Sequence, residues 1–230
     1  MMTADVQTPA PEQVIGILGG SGPQGRGLGV RFAAAGLPVV IGSRKADRAE
    51  EAAADIARVA GSSRVTGASN EECAQRSDIV LVVVPFEGHA DLLTSLGEAL
   101  AGKVVVDCVN PLGFDKQGPY PLKVAEGSAA EQARELLPDS TVTAAFHHLS
   151  AVLLGDLEVA SIDSDVLVLG DDRSATDAVQ ALAETIPGVR GVYGGRLRNA
   201  AQIEALTANL IAVNRRYKCH AGVRITDLPV

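Results

Sequence analysis

The apolar run Val14 to Leu18 leads directly into Gly20-Ser21-Gly22-Pro23-Gln24-Gly25. This spacing, G-x-G-x-x-G, makes a phosphate cradle where it joins a strand to a helix. The first glycine permits the tight turn, the second lets the backbone approach a pyrophosphate, and the third lets helix and strand pack closely. A helix opening here offers unpaired N–H groups and the positive end of its dipole to the phosphates. The expected ligand is a dinucleotide. About twenty residues further on, NAD sites keep an acidic residue for the ribose 2′-hydroxyl. This chain has Gly42-Ser43-Arg44-Lys45 there, with Arg48 one turn later and no carboxylate at the tip. Asp47 falls inside the following helix. A hydroxyl and cations suit a 2′-phosphate, so Ser43, Arg44 and Arg48 predict NADP over NAD.

The far end of such a ligand lies beyond other strand tips, because open α/β sheets bind ligands outside the carboxyl ends of their strands. Val84-Pro85-Phe86 and Asn110-Pro111 stand at two such tips and are expected to line the nicotinamide end. Phe86 reads equally well as ordinary packing. His147 and His148 follow a third apolar run. An imidazole there can transfer a proton or position a ligand, and one of the two adjacent histidines is expected to face solvent. His89 and His220 have no legible partner. Enzymes resembling β-hydroxyacid dehydrogenases place a Lys three residues before an Asn on the first long helix after the nucleotide domain. Here Leu206 precedes Asn209 and Ile211 precedes Asn214, so that base is absent. A hydride passed between two carriers needs no such base.

The elements that must hold these residues alternate. Strands are expected over 14–18, 37–41, 64–68, 79–84, 104–109, 141–146 and 165–169. Helices are expected over 25–35, 46–60, 70–76, 89–100, 128–137, 175–186 and 199–217. The run 79–84 is apolar at every position, as a strand covered on both faces is. Ser69 or Asn70 caps one helix, and Ser128 with Glu131 forms a capping box for another. Pro111, Gly113, Gly118, Pro119, Pro121 and Gly127 read as a long loop over 110–127. Ile203, Leu206, Leu210, Val213 and Tyr217 step by three and four, giving the last helix a continuous apolar face. The alternation is βαβαβ and implies an α/β fold, a Rossmann-type doubly wound parallel sheet with right-handed crossovers.

Composition agrees. The 230 residues are 47% hydrophobic but only 3% aromatic, with no Trp, so the core is built from Ala, Val, Leu and Ile. A charged fraction of 21%, with 24 Gly and 11 Pro, excludes a disordered or fibrous chain. No apolar run reaches the roughly 18 residues of a membrane span. The leader Met1 to Gln13 lacks a basic segment and is not read as a secretory signal. Cys73, Cys108 and Cys219 are far apart, without metal spacing or a redox pair. Each reads as a small buried apolar residue in a reducing, cytoplasmic setting, and no metal site is expected. The net charge of −8 argues against nucleic acid as a partner. Residues 186–230 nevertheless carry +5, with Arg190, Arg196, Arg198, Arg215, Arg216, Lys218 and Arg224 against Glu204 and Asp227. Such a segment reads as a dimer surface, a solvated face or the seat of an anionic ligand.

Several segments together resemble one family. They are Ile15-Gly16-Ile17-Leu18-Gly19-Gly20-Ser21-Gly22, Ile41-Gly42-Ser43-Arg44, Val84-Pro85, Ala145-Phe146-His147, Leu169-Gly170-Asp171-Asp172 and Glu204-Ala205-Leu206-Thr207. In these the chain, from about residue 14 to 227, is similar to the NADP-dependent oxidoreductases of the deazaflavin coenzyme F420. The resemblance implies a homodimer and direct hydride transfer between NADP(H) and coenzyme F420. It adds Ala151 and Thr207 to the cofactor-binding residues read above. It also implies a leader over 1–13, an NADP-binding Rossmann domain over 14–155 and a small C-terminal α/β domain over 156–230 that closes the deazaflavin cleft. On charge alone, Arg196, Arg198, Arg215, Arg216 and Lys218 are expected to attract a coenzyme bearing a phosphodiester and glutamates. Two alternatives remain, an NADPH-dependent reductase of an imine or carbonyl and a non-catalytic NADP sensor.

Overall fold

The structure, a computed structural model, describes residues 13–228, and the leader expected over 1–13 lies outside them except for Gln13. One sheet of eight strands runs through the molecule. They are β1 (Ile15–Leu18), β2 (Val39–Ser43), β3 (Val65–Ser69), β4 (Ile79–Val82), β5 (Val104–Asp107), β8 (Thr141–Ala144), β9 (Ser164–Gly170) and β10 (Val189–Gly195). Their order is β10-β9-β8-β5-β4-β1-β2-β3, and every pairing is parallel except β8 with β9. β1 therefore lies between β2 and β4, and the strand order reverses there. The crevice at such a switch point is where doubly wound sheets take their ligands.

Helices cover both faces, which is why the strands are apolar throughout. Ile79 and Leu81 of β4 join a core with Ile15, Ile17, Phe32, Ile41 and Ile56. Val80 and Val82, pointing the other way, join a second core with Leu18, Val40, Leu93 and Leu100. Near the site the helices are α1 (Pro23–Ala34), α2 (Ala46–Ala60), α3 (Asn70–Arg76), α4 (His89–Ser95), α5 (Gly97–Leu100), α6 (Ala129–Leu136), α7 (Ala151–Gly155) and α9 (Ala200–Tyr217), with α8 (Arg173–Glu184) behind β9. The caps read from sequence are present: Ser69 accepts from Glu72 N–H and Ser128 from Glu131 N–H. Strands β9 and β10, from the segment 156–230, continue the one sheet. The chain beyond α9 is stapled back onto β9. The buried Asp165 carboxylate binds Arg190, Arg224 and Ile225 N–H. Burial opposes its charge, but these donors prevail and hold it down to about 2.

Several expectations are corrected. The segment 110–127 is not a plain loop, because β6 (Leu112–Asp115) and β7 (Gly118–Pro121) pair as an antiparallel hairpin. The Asp115 carboxylate closes the turn by accepting from Gln117 and Gly118 N–H. The helix expected over 89–100 breaks at Leu96 into α4 and α5. β4 ends at Val82, so Val84 and Pro85 lie past the strand, half-buried and exposed. Cys219 is exposed, unlike Cys73 and Cys108. The apolar stripe of α9 is not its buried face: Ala200, Glu204 and Ala208 are buried, whereas Val213 and Tyr217 are exposed. α7 and β10 were not foreseen.

Candidate active site

At the β1–α1 turn, Gly20 N–H donates to the carbonyls of Ile17 and Gly42, which draws the tip of β2 against the turn. Gly22 is the N-cap of α1 and Pro23 follows in its first turn. Proline suits that place because its missing N–H has no helical partner there. The second and third glycines of the motif differ in what surrounds them. A Cβ on Gly25 would stand 2.5 Å from Gly20 Cα, so packing alone demands this glycine. A Cβ on Gly22 would have only Gly19 O nearby, at 3.7 Å. Among the described residues, nothing else lies within 4 Å of that position, before the first turn of α1. Room, free N–H groups and a helix dipole make that space fit a pyrophosphate.

The tip of β2 carries Ser43, buried, its hydroxyl accepting from Lys45 N–H. Arg44, Lys45 and Arg48 are exposed at the start of α2. Nearby cations pair elsewhere, Arg26 and Arg58 with Asp55 and Arg76 with Glu72. Among the described residues, Arg44, Lys45 and Arg48 form no ion pair, and they stand beside a helix N-terminus. This corner is cationic and fits an anion.

On the other side of β1, Val84 packs against Gly19, where an added Cβ would fall 2.6 Å from its Cγ1. Beyond β5 and β8 the chain builds a second polar floor. Asn110 Nδ2 donates to the His147 carbonyl at 2.9 Å. The Thr207 hydroxyl of α9 lies 3.1 Å from the same carbonyl and 3.3 Å from Asn110 Oδ1. The two floors are linked, because Gln24 of α1 donates to the Phe146 carbonyl at the tip of β8. Phe146 turns the chain there with φ 62°, held by a buried edge contact with Phe32. A non-glycine residue in the left-handed region costs energy and persists only where its surroundings fix it. Ala151 opens α7, which together with the chain after it is pinned to α1 by Arg31, a buried guanidinium bonded to the carbonyls of Leu153, Leu154, Asp156 and Val159. Thus Gly20, Ser21, Gly22, Pro23, Gln24, Gly25, Ser43, Arg44 and Arg48 gather at one end. Asn110, the His147 carbonyl and Thr207 gather at the other; Val84 stands against Gly19, Pro85 follows it at the surface, and Ala151 lies beside α1.

Neither histidine of the pair faces solvent, which corrects the expectation from sequence. His148 donates from Nε2 to the Asp165 carbonyl, and burial lowers its pKa. The ring of His147 is buried over the backbone of Cys108 and Val109, without a hydrogen-bond partner of good geometry at either nitrogen. Burial lowers it to about 4, against the pull of Asp107 and with a further push from His148. It is therefore neutral near pH 7, a poor general acid, and its carbonyl rather than its ring joins Asn110 to Thr207.

A buried charged cluster beneath this floor escaped the sequence reading. His89, assigned no partner, bonds Asp107 Oδ2 through Nε2 at 2.6 Å and Gln132 Oε1 through Nδ1 at 2.9 Å. With acceptors at both ring nitrogens the imidazolium fits; burial opposes it, but Asp107, Gln132 and Glu204 together prevail and raise the pKa. Glu204 of α9 accepts from Ala129 and Ala130 N–H at the start of α6. Burial pushes its carboxyl up to about 7, with those N–H groups and His89 pulling down and Asp107 pushing up. A carboxylate closing the apolar run Val104–Val106 hints at a buried charge, but nothing in the sequence names its partners. His220 also has a partner, Ser150 Oγ at 3.3 Å. Within the basic segment, Asp165 takes Arg190 and Arg224, and Asp171 lies near Arg196. Arg198, Arg215, Arg216 and Lys218 remain exposed. Among the described residues no cluster of His, Cys, Asp or Glu is placed to hold a metal, and no helix is long and apolar enough to cross a membrane.

The comparisons with known proteins fall on the same elements. Residues 14–111, from β1 to the Asn110 corner, match the family described as NADP oxidoreductase, coenzyme F420-dependent. The F420-dependent NADP reductase of Methanothermobacter marburgensis is 40% identical over 222 residues, 94% of this chain and 99% of that one. That of Methanocaldococcus jannaschii is 38% identical over 224 residues, again 94% and 99%. A crystal structure from Arthrobacter sp. FB24, proposed to be an F420-dependent NADP reductase, superposes with a TM-score of 0.79 at 24% identity, covering 94% of this chain and 99% of that one. The cradle, the cationic corner and the α9 floor all lie within the stretch shared at 38–40% identity with the two reductases. By that likeness the chain belongs to the family of F420-dependent NADP reductases.

Proposed function

We propose that the protein passes a hydride between NADP(H) and the deazaflavin coenzyme F420. NADP lies along the tips of β2, β1 and β4, and the deazaflavin lies towards β5, β8 and α9. The observation that carries this reading is the pairing of an open cradle at Gly22 with a second polar floor made by Asn110, Thr207 and the His147 carbonyl. Both carriers supply, when bound, a carbon that gives or takes a hydride. The chain itself binds, aligns and excludes water. The first turn of α1 holds the pyrophosphate, and Ser43, Arg44 and Arg48 hold the 2′-phosphate. Val84 and Pro85 wall the nicotinamide. Asn110, Thr207 and the His147 carbonyl give the second ligand one polar edge to register against, which fixes its distance and angle to the first.

The names of the relatives support this pair of ligands. The segment 156–230 closes the deazaflavin side, since it carries Thr207. A homodimer completes the reading: Val213 and Tyr217 are 37% and 73% exposed on α9, and Phe114 and Tyr120 stand exposed on the hairpin packed beside it. Three unbridged cysteines suit a cytoplasmic location.

His147→Ala separates this reading from that of an imine or carbonyl reductase. The variant keeps the carbonyl but leaves a cavity where the buried ring supported it, and is expected to raise the KM for the deazaflavin while keeping kcat within roughly a hundredfold of the parent. A loss of roughly ten-thousandfold in kcat, with KM unchanged, would mark an acid–base residue and favour the alternative.

A further inference from the structure

Helix α9 delivers Thr207 to the second floor, yet little of it is held by packing, with only Ala200, Glu204 and Ala208 buried along eighteen residues. Its one buried polar residue is Glu204. One carboxylate oxygen accepts from Ala129 N–H at 3.0 Å and the other from Ala130 N–H at 3.2 Å, at the open end of α6. Residues three apart share a helix face, so the turn that seats Glu204 also aims Thr207.

We propose that Glu204 is a positioning residue for the deazaflavin side of the cleft: by gripping the first two N–H groups of α6 it fixes the turn of α9 that sets Thr207 against Asn110 and the His147 carbonyl. The inference rests on the proposed function, which places the second ligand there. A carboxylate is required because both contacts are donors at the positive end of a helix. An amide in its place sets an NH2 group against one of them. His89 favours the same carboxylate through its charge, and Asp107 opposes it. Asp107 ends β5 two residues before Val109, whose N–H it binds, and three before Asn110. Asp107 thus anchors the chain just before Asn110, as Glu204 anchors the turn that carries Thr207.

A double-mutant cycle tests this with Glu204→Gln, Thr207→Val and the pair, on the full-length protein. Glu204→Gln is expected to raise the KM for the deazaflavin about tenfold, the scale of one hydrogen bond to a charged group, while the NADPH Kd stays within about twofold. In the Thr207→Val background Glu204→Gln is expected to add less than about twofold, because its effect passes through Thr207. Glu204→Asp, which keeps the charge but shortens the reach by one methylene, is measured in parallel and is expected to behave alike, so a folding failure of one variant leaves the other to decide. Losses that multiply in the double variant, or an equal fall in NADPH affinity, would make Glu204 merely structural and overturn the proposal. An unchanged KM overturns it outright. A wild-type protein that fails to reduce the deazaflavin at all instead removes the proposed function on which the inference rests.

Discussion

Gly22→Val yields a folded protein that no longer binds NADPH. At this position φ is −79° and ψ is 169°, extended backbone that valine adopts readily. The new Cβ meets only Gly19 O at 3.7 Å, so the fold accommodates it. The added side chain instead fills the space from which a pyrophosphate approaches the first turn of α1. The phosphate loses several charge-assisted hydrogen bonds of roughly 1.5–3 kcal/mol each, so affinity falls by about a thousandfold or more. Thermal unfolding and NADPH titration together check this, with a small change in Tm and no measurable binding as the expected pair of results. Gly25→Val is the contrasting control. Its Cβ would fall 2.5 Å from Gly20 Cα, so it damages the turn and the helix packing and lowers Tm as well. Retained NADPH affinity in a folded Gly22→Val would reduce the glycine motif to a turn.

The second large effect is on cofactor choice. Arg44→Ala with Arg48→Ala removes the two guanidinium groups at the tip of β2 and the start of α2. Each is exposed and forms no ion pair among the described residues, so their loss leaves no buried charge behind and stability changes little. A 2′-phosphate held by two such groups loses on the order of 3–6 kcal/mol, which is about a hundredfold to ten-thousandfold in kcat/KM for NADPH. NADH has no group there and is expected to change by less than about threefold. The ratio of the two kcat/KM values is the measurement. Equal losses for both dinucleotides would remove these arginines from the phosphate site.

The cradle and its cationic neighbour were legible because their chemistry is local. Six residues from Gly20 to Gly25 carry the glycine spacing, and Ser43 to Arg48 lie next to one another on a single turn. Helix α2 was read to its ends, since its apolar residues follow the helical repeat and Gly61 adopts φ 63°, which closes it. Elements with weak local signals were lost. β10 is Val-Arg-Gly-Val-Tyr-Gly-Gly, an edge strand with three glycines and mostly half-buried residues, so no alternation appears. α7 has five residues and no side-chain cap. In the hairpin, Pro119 and Pro121 hide a strand that pairs with only one neighbour, a setting that tolerates proline. The buried cluster could not be read at all. His89 and Asp107 are eighteen residues apart and meet only when α4 and β5 dock. Glu204 lies 74 and 75 residues from the N–H groups it binds. In sequence it sits beside the apolar stripe of α9, where the helical repeat gives no sign that its own face is the buried one.

The central claim is that the two floors hold two hydride carriers at once. The direct measurement mixes the purified protein with NADPH and oxidised coenzyme F420 and follows the visible absorbance of the deazaflavin, with NADH and with a cyclic imine as separate controls. Bleaching of the deazaflavin is expected at a rate proportional to enzyme, with one NADPH consumed per deazaflavin, slow turnover with NADH and none with the imine. NADPH consumption that requires the imine while the deazaflavin absorbance stays constant would contradict the account.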